Sequence, residues 1–141
     1  MYKYKILILF ITIGLISFGI YSCTYSPRYT SQNVIYGVAS HYGHNDGFHG
    51  KRTANGDIYD QNKFTAAHKT LPLNTRIKVT NLDLRNRPTV ILQVNDRGPY
   101  IDGRDLDCST AAAKKLGFFN QGTANIKIEI LEMGDNKYEK K

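Results

Sequence analysis

Residues 89–99 read Thr89-Val90-Ile91-Leu92-Gln93-Val94-Asn95-Asp96-Arg97-Gly98-Pro99. The first six are mostly apolar and β-branched, the composition of a strand. Period-2 alternation puts Val90, Leu92 and Val94 on one face. Continuing that parity puts Asp96 on the same side, at the strand's end. A carboxylate at the edge of an apolar face is partly desolvated, which favours its protonated form. Gly98-Pro99 then imposes a turn. Two readings stand at this point: an Asp that caps a turn, or an acid placed for proton transfer.

The neighbouring stretches supply further strands. Residues 75–80 alternate cleanly, with Ile77 and Val79 inward and Arg76 and Lys78 outward. A basic hairpin loop over 83–88 joins them to the Val90 strand. Residues 63–68 form a short strand that leads to His68, and Leu71-Pro72-Leu73-Asn74 is a turn. Residues 34–42 form a first strand, β-branched and aromatic. A long loop follows, with Gly43, Gly47, Gly50 and Gly56 in it. Unstructured loops of that length are usually functional.

Past Pro99, residues 100–105 read as a polar loop. Asp107 or Ser109 can cap a helix over 110–116, and Gly117 supplies its left-handed stop. Residues 125–130 form the last strand, with Ile126, Ile128 and Ile130 on one face. The charged, apolar-poor tail over 132–141 is expected to fray. Short strands, one small helix and long loops make a mainly β fold, a small barrel over 34–131.

The start of the chain belongs to another class. Met1-Tyr2-Lys3-Tyr4-Lys5 is basic, and residues 6–20 are an almost unbroken apolar run of about fifteen. That is short for a membrane span of roughly 20 residues. Residues 1–22 therefore read as a signal peptide. Ile20-Tyr21-Ser22-Cys23 is similar to a bacterial lipobox, although Tyr21 is bulky for one. Cys23 is accordingly the expected lipidation site, and residues 23–33 a polar tether. The alternatives are an ordinary signal peptide with a chance Cys, or an uncleaved anchor. Diacylation plus an amide-linked chain would hold the protein on a membrane. Thr24 after the Cys is compatible with sorting to the outer membrane of a diderm cell.

The chain has only two Cys, so with Cys23 lipidated no internal disulfide remains. Cys108 then reads as a small buried apolar residue. Losing Lys3 and Lys5 with the signal peptide lowers the formal charge from +7 to +5. A basic exported domain favours anionic partners such as wall polymers or lipid head groups, and disfavours nucleic acid.

Four candidate acid/base residues fall in or beside loops: Asp57, His68, Asp96 and Asp105. Glycosidic cleavage needs a protonated carboxyl to hand a proton to the leaving oxygen. Tyr42, Phe48, Tyr59 and Tyr100 can stack on sugar rings or simply pack the barrel rim. His41, His44 and His49 cluster in sequence, but no Cys and no fixed helical spacing supports zinc. No metal and no cofactor is expected.

Several ordered motifs resemble rare lipoprotein A: Gly37-Val38-Ala39-Ser40-His41-Tyr42-Gly43, Phe48-His49-Gly50-Lys51-Arg52-Thr53-Ala54-Asn55-Gly56, Thr65-Ala66-Ala67-His68-Lys69-Thr70-Leu71-Pro72 and Val94-Asn95-Asp96-Arg97-Gly98-Pro99. The resemblance implies a six-stranded double-psi β-barrel with one or two short helices, related to barwin and to expansins. It also implies lytic transglycosylase activity on peptidoglycan glycan strands. Such enzymes cut between N-acetylmuramic acid and N-acetylglucosamine without water and leave a 1,6-anhydro end. By this resemblance Asp96 is the catalytic acid and base, with His68 and Asp57 as catalytic partners. Ser40, Tyr42, Arg52, Thr53, Lys69, Asn95 and Arg97 are the residues expected to bind the glycan. Cell-division proteins are possible partners, and a monomer is expected.

Two departures stand out. Asp57 takes a place where the family usually has Glu, one methylene longer, and a misplacement of about 1 Å can cost about a hundredfold in rate. His41 stands where an aromatic is common. The sequence also has no glycan-binding repeat region after the barrel, so recruitment by that route is not expected. These departures leave a competing reading, a non-catalytic wall-binding or wall-loosening module of the expansin kind. A third reading is a structural envelope lipoprotein acting through partners.

Overall fold

The computed structural model describes residues 33–138. The stretch expected to be a signal peptide, the expected lipidation site Cys23 and the expected tether up to residue 32 lie outside the described residues. Six strands and one helix follow in the order β1 (Val34–Tyr42), β2 (Thr65–His68), β3 (Arg76–Asn81), β4 (Thr89–Asp96), β5 (Leu106–Ser109), α1 (Thr110–Leu116) and β6 (Ala124–Glu132). The strands close into a barrel in the order β1-β5-β2-β4-β3-β6.

The period-2 pattern explains the closure. Ile77 and Val79 of β3, Val90, Leu92 and Val94 of β4, and Ile126, Ile128 and Ile130 of β6 all turn inward and are buried. Arg76, Lys78, Ile91 and Gln93 alternate with them on the outer surface or near it. The core is completed by Ala39, Ala66, Leu106 and Cys108, and by Ala112, Ala113, Leu116 and Phe118 from the helix and its exit. Phe118 is the largest wholly buried side chain, and burying a side chain of that size contributes on the order of 3 kcal/mol. Cys108 is the small buried residue the sequence implies. Burial pushes its thiol pKa up, so it is inert.

The helix starts at Ser109, whose side chain accepts from Ala112 N–H. Gly117 ends it with φ 79°, and its N–H reaches the Ala113 and Lys114 carbonyls. A left-handed residue at that position favours Gly. Asp107, the other candidate cap, lies instead within β5.

Two expectations change. Residues 106–109 are a strand, running parallel to β1 and antiparallel to β2. Four residues are too few to display a period, so in sequence the stretch offers only candidate helix caps at Asp107 and Ser109. The tail over 133–137 is also fastened rather than frayed. Gly134 N–H donates to Thr75 Oγ1 at 3.0 Å, and Asn136 Oδ1 accepts from Leu73 N–H at 3.0 Å. Asn136 N–H in turn donates to Leu73 O at 3.1 Å. These bonds give a polar segment a fixed course without any apolar anchor.

Candidate functional site

The strand register lines up four residues in one row across β1, β5, β2 and β4. Ser40 pairs with Asp107, Asp107 with Ala67, and Ala67 with Asp96. Directly paired residues share a face of a sheet. The row therefore presents two carboxylates on either side of a methyl group, with a hydroxyl beyond one of them.

Asp96 joins that row through an irregularity. Simple alternation expects it on the face of Val90, Leu92 and Val94. Ala66 does pair with Val94, but Ala67 pairs with Asp96, so the register slips by one residue at Asn95. A bulge of this kind re-aims the side chain that follows it. Asp96 consequently leaves the core face and shares the face of Ala67.

The row opens into a cavity of about 300 Å3 whose lining includes Asp96, Asp107, Ala67, Tyr42, Phe48, Tyr100 and Arg104. The small Ala67 side chain keeps the middle of the row open. Asp96 Oδ1 accepts from Ala54 N–H at 3.0 Å and from its neighbour Arg97 N–H at 2.9 Å. One carboxyl oxygen is thus fixed by backbone. Asp107 is held from the other side, where its Oδ1 accepts from the hydroxyl of the buried Ser40.

Tyr42 forms the adjoining wall. Its ring packs against Tyr59 at 4.5 Å between centroids and edge-on to Phe48 at 5.9 Å. Tyr59 is buried and donates its hydroxyl to Tyr42 O at 2.8 Å. Gly43 makes room for that ring, since a methyl group there would overlap it, and its φ of +86° also excludes most side chains. The Tyr42 hydroxyl is buried without a hydrogen bond of ordinary geometry. Burial, then the Asp96 charge, then further electrostatic contributions including Asp107, push its pKa far up, so it stays a neutral phenol beside two acids.

The other sequence-derived candidates occupy different positions. His68 is buried, and its Nδ1 accepts from Thr70 N–H at 3.1 Å and Leu71 N–H at 3.0 Å. That fixes the neutral tautomer with the proton on Nε2. Burial lowers its pKa; Asp105 opposes the shift, while Arg97 and Lys69 add to it. Its ring does not line the Asp96 cavity, although its strand neighbour Ala67 does. Asp57 lines a separate cleft of about 360 Å3, together with Arg52, Lys63, Thr65 and Asn95. Its Oδ2 accepts from Asn55 Nδ2 at 2.9 Å. Asn55 N–H donates to Asn95 O at 3.0 Å, and the adjacent Ala54 N–H holds Asp96. Asp57 is therefore linked to the acid through the 53–57 segment, not by sharing its cavity.

Arg97 lines the Asp96 cavity, but its guanidinium donates to His68 O at 3.1 Å, Leu71 O at 2.8 Å and Asn136 Oδ1 at 3.0 Å. It works largely as a clamp for the 68–71 turn and the tail. Thr53 is buried and braces the 53–57 segment through Asn55 Oδ1 at 2.8 Å. Lys69 is exposed and lines neither opening. Asp105 is structural, with its Oδ2 accepting from Val38 N–H at 2.8 Å and packed against Gly37. His41 Nε2 lies 3.1 Å from Phe119 O, and no metal-holding group of His, Cys, Asp or Glu occurs among the described residues. The residue that sequence reasoning missed is Asp107. Its signal was the alternation of inward Leu106 and Cys108 around it, visible only once the stretch is known to be a strand.

Comparison with known proteins places this geometry. A family model described as lytic transglycolase matches residues 34–128. A protein of Neisseria meningitidis serogroup A named endolytic peptidoglycan transglycosylase RlpA is 50% identical over 114 residues, covering 77% of this chain and 46% of that protein. Its Rickettsia felis namesake is 51% identical over 116 residues, covering 82% of this chain and 50% of that one. The chain thus spans about half the length or less of these relatives. Among solved structures, a Clavibacter michiganensis expansin in complex with cellohexaose aligns with a TM-score of 0.55 at 22% identity, covering 70% of this chain and 50% of that one. A Streptomyces papain inhibitor aligns with a TM-score of 0.54 at 21% identity, covering 70% of this chain and 94% of that one. The chain belongs to the rare lipoprotein A family of lytic transglycolases, built on a double-psi β-barrel.

Proposed function

We propose that this protein is a peptidoglycan lytic transglycosylase that cleaves between N-acetylmuramic acid and N-acetylglucosamine, with Asp96 as acid and then base. The observation that carries the reading is the cavity in which Asp96 and Asp107 flank Ala67 under the Tyr42 wall. The protonated Asp96 carboxyl gives its proton to the glycosidic oxygen as the bond to the anomeric carbon breaks. The muramic acid's own C6 hydroxyl oxygen then bonds to that carbon. Its proton passes to the Asp96 carboxylate, which restores the acid for the next cycle. No water is consumed, and the product is a 1,6-anhydro end.

The backbone donors on Oδ1 leave Oδ2 as the oxygen to carry the proton. Phe48 and Tyr100, both exposed at the cavity wall, offer apolar faces to sugar rings. His68 and Asp57 support the acid from a distance, by fixing the 68–71 turn and the 53–57 segment. The protein works in the cell envelope on glycan strands, as a monomer. Lipid on Cys23 holds it to a membrane, on the periplasmic face of the outer membrane in a diderm cell, where cell-division proteins can recruit it.

Digestion of purified, peptide-stripped glycan strands tests the reading. Anhydro-ended fragments are the expected products. Strand binding with no products would favour the expansin-like module instead, a reading that the separate placement of Asp57 and His68 supports.

A further inference from the structure

Asp107 is the second acid of the Asp96 cavity, and it is built in with unusual care for a surface carboxylate. It sits on a strand between the core residues Leu106 and Cys108, so its backbone position is rigid. Its Oδ1 takes the hydroxyl of Ser40, a polar side chain only 1% exposed. Its Oδ2 faces the Gly98 turn, 3.8 Å from where a side chain on that glycine would begin. Asp96 and Asp107 are each the direct strand partner of Ala67. Their backbones are therefore two strand spacings apart, roughly 10 Å. Both side chains line the one cavity.

We infer that Asp107 is a catalytic residue whose carboxylate stabilises the positive charge developing on the sugar's anomeric carbon. The inference rests on the glycan-cleavage reading above. Glycosidic cleavage passes through an oxocarbenium-like state, and a fixed carboxylate in a partly enclosed cavity stabilises such charge at little reorganisation cost. Asp107 forms no bond and moves no proton, so the proton balance at Asp96 is unchanged. Ser40, buried behind the carboxylate, acts as its positioning residue.

Charge recognition separates this role from a structural one. Binding is measured for an N-acetylglucosamine trimer and for the same trimer ending in a protonated iminosugar. The wild-type protein should prefer the cationic ligand by at least tenfold. Asp107→Asn, whose amide oxygen can still accept from Ser40, should lose that preference while binding the neutral trimer unchanged. It should also cut cleavage about a hundredfold or more. Asp107→Glu, which keeps the charge, should restore part of the preference, and it serves as the test if the Asn variant does not fold. Ser40→Ala should weaken the preference while the charge remains. Retained cationic preference in Asp107→Asn, or cleavage within tenfold of wild type, overturns the inference. Failure of the wild-type protein to cleave any glycan overturns the parent reading instead. A charge preference that still depends on Asp107 would then identify a sugar-cation site without the reaction.

Discussion

Replacing Asp96 with Asn separates chemistry from folding. The amide oxygen can take the place of Oδ1 and keep the donors from Ala54 at 3.0 Å and Arg97 at 2.9 Å. What is lost in the fold is the extra strength of hydrogen bonds to a charged acceptor, about 1 kcal/mol. What is lost in the reaction is the only proton donor assigned to the leaving oxygen, worth about a hundred- to ten-thousandfold in rate. That corresponds to about 3–5 kcal/mol of barrier. The catalytic effect therefore exceeds the structural one severalfold. Glycan strands incubated with wild type and Asp96→Asn are compared by chromatography of anhydro-ended fragments, with thermal melting and strand co-sedimentation as controls. The variant should melt within a few degrees of wild type, bind strands and release no fragments. Turnover within tenfold of wild type in a folded Asp96→Asn protein would refute the assigned role.

Gly43→Ala should destabilise the barrel by about 1–3 kcal/mol, because the new methyl overlaps the Tyr59 ring at a φ of +86°; urea titration reads it, and an unchanged midpoint counts against the packing argument. Asn136→Ala removes the acceptor shared by Leu73 N–H and the Arg97 guanidinium, and should cost about 1 kcal/mol in the same titration. His68 has a folded-state pKa below its ordinary 6.5, chiefly through burial. The unfolded chain therefore takes up the proton first as pH falls, and stability present above that value is lost below it. Melting curves from pH 8 to pH 5 should show a steeper decline for wild type than for His68→Gln, and parallel curves would contradict it. Cys23→Ser should move the protein from the membrane fraction to the soluble one, as read by fractionation; continued attachment would point to an uncleaved anchor.

The strands with a clean period were legible from sequence alone. Ile77 and Val79, Val90 to Val94, and Ile126 to Ile130 each repeat every second residue, and one buried face leaves one register. The helix was legible through Gly117 and its run of alanines. β5 was not, because four residues carry no period and its neighbours β1 and β2 are far away in sequence. The tail was misread for a related reason. Its anchors are polar bonds to Leu73, Asn74 and Thr75, some sixty residues upstream, and no local composition announces such bonds.

The stretch around Asp96 shows where the boundary lies. Local chemistry was enough to identify the residue types: a strand, an acid at its end, a Gly-Pro turn, and a family resemblance carried by ordered motifs. The face the acid occupies was not a local property. Alternation assigned it to the core, and pairing with β2 moved it to the other face by one residue of slip. Its partner was not local either. Asp107 reaches the same cavity because the barrel sets β5 and β4 on either side of β2, and the two acids flank Ala67. Side-chain alternation follows from the covalent geometry of one chain and is written in its sequence. Register between strands is a balance of contacts across the closed barrel, and here it decided which acids share a cavity.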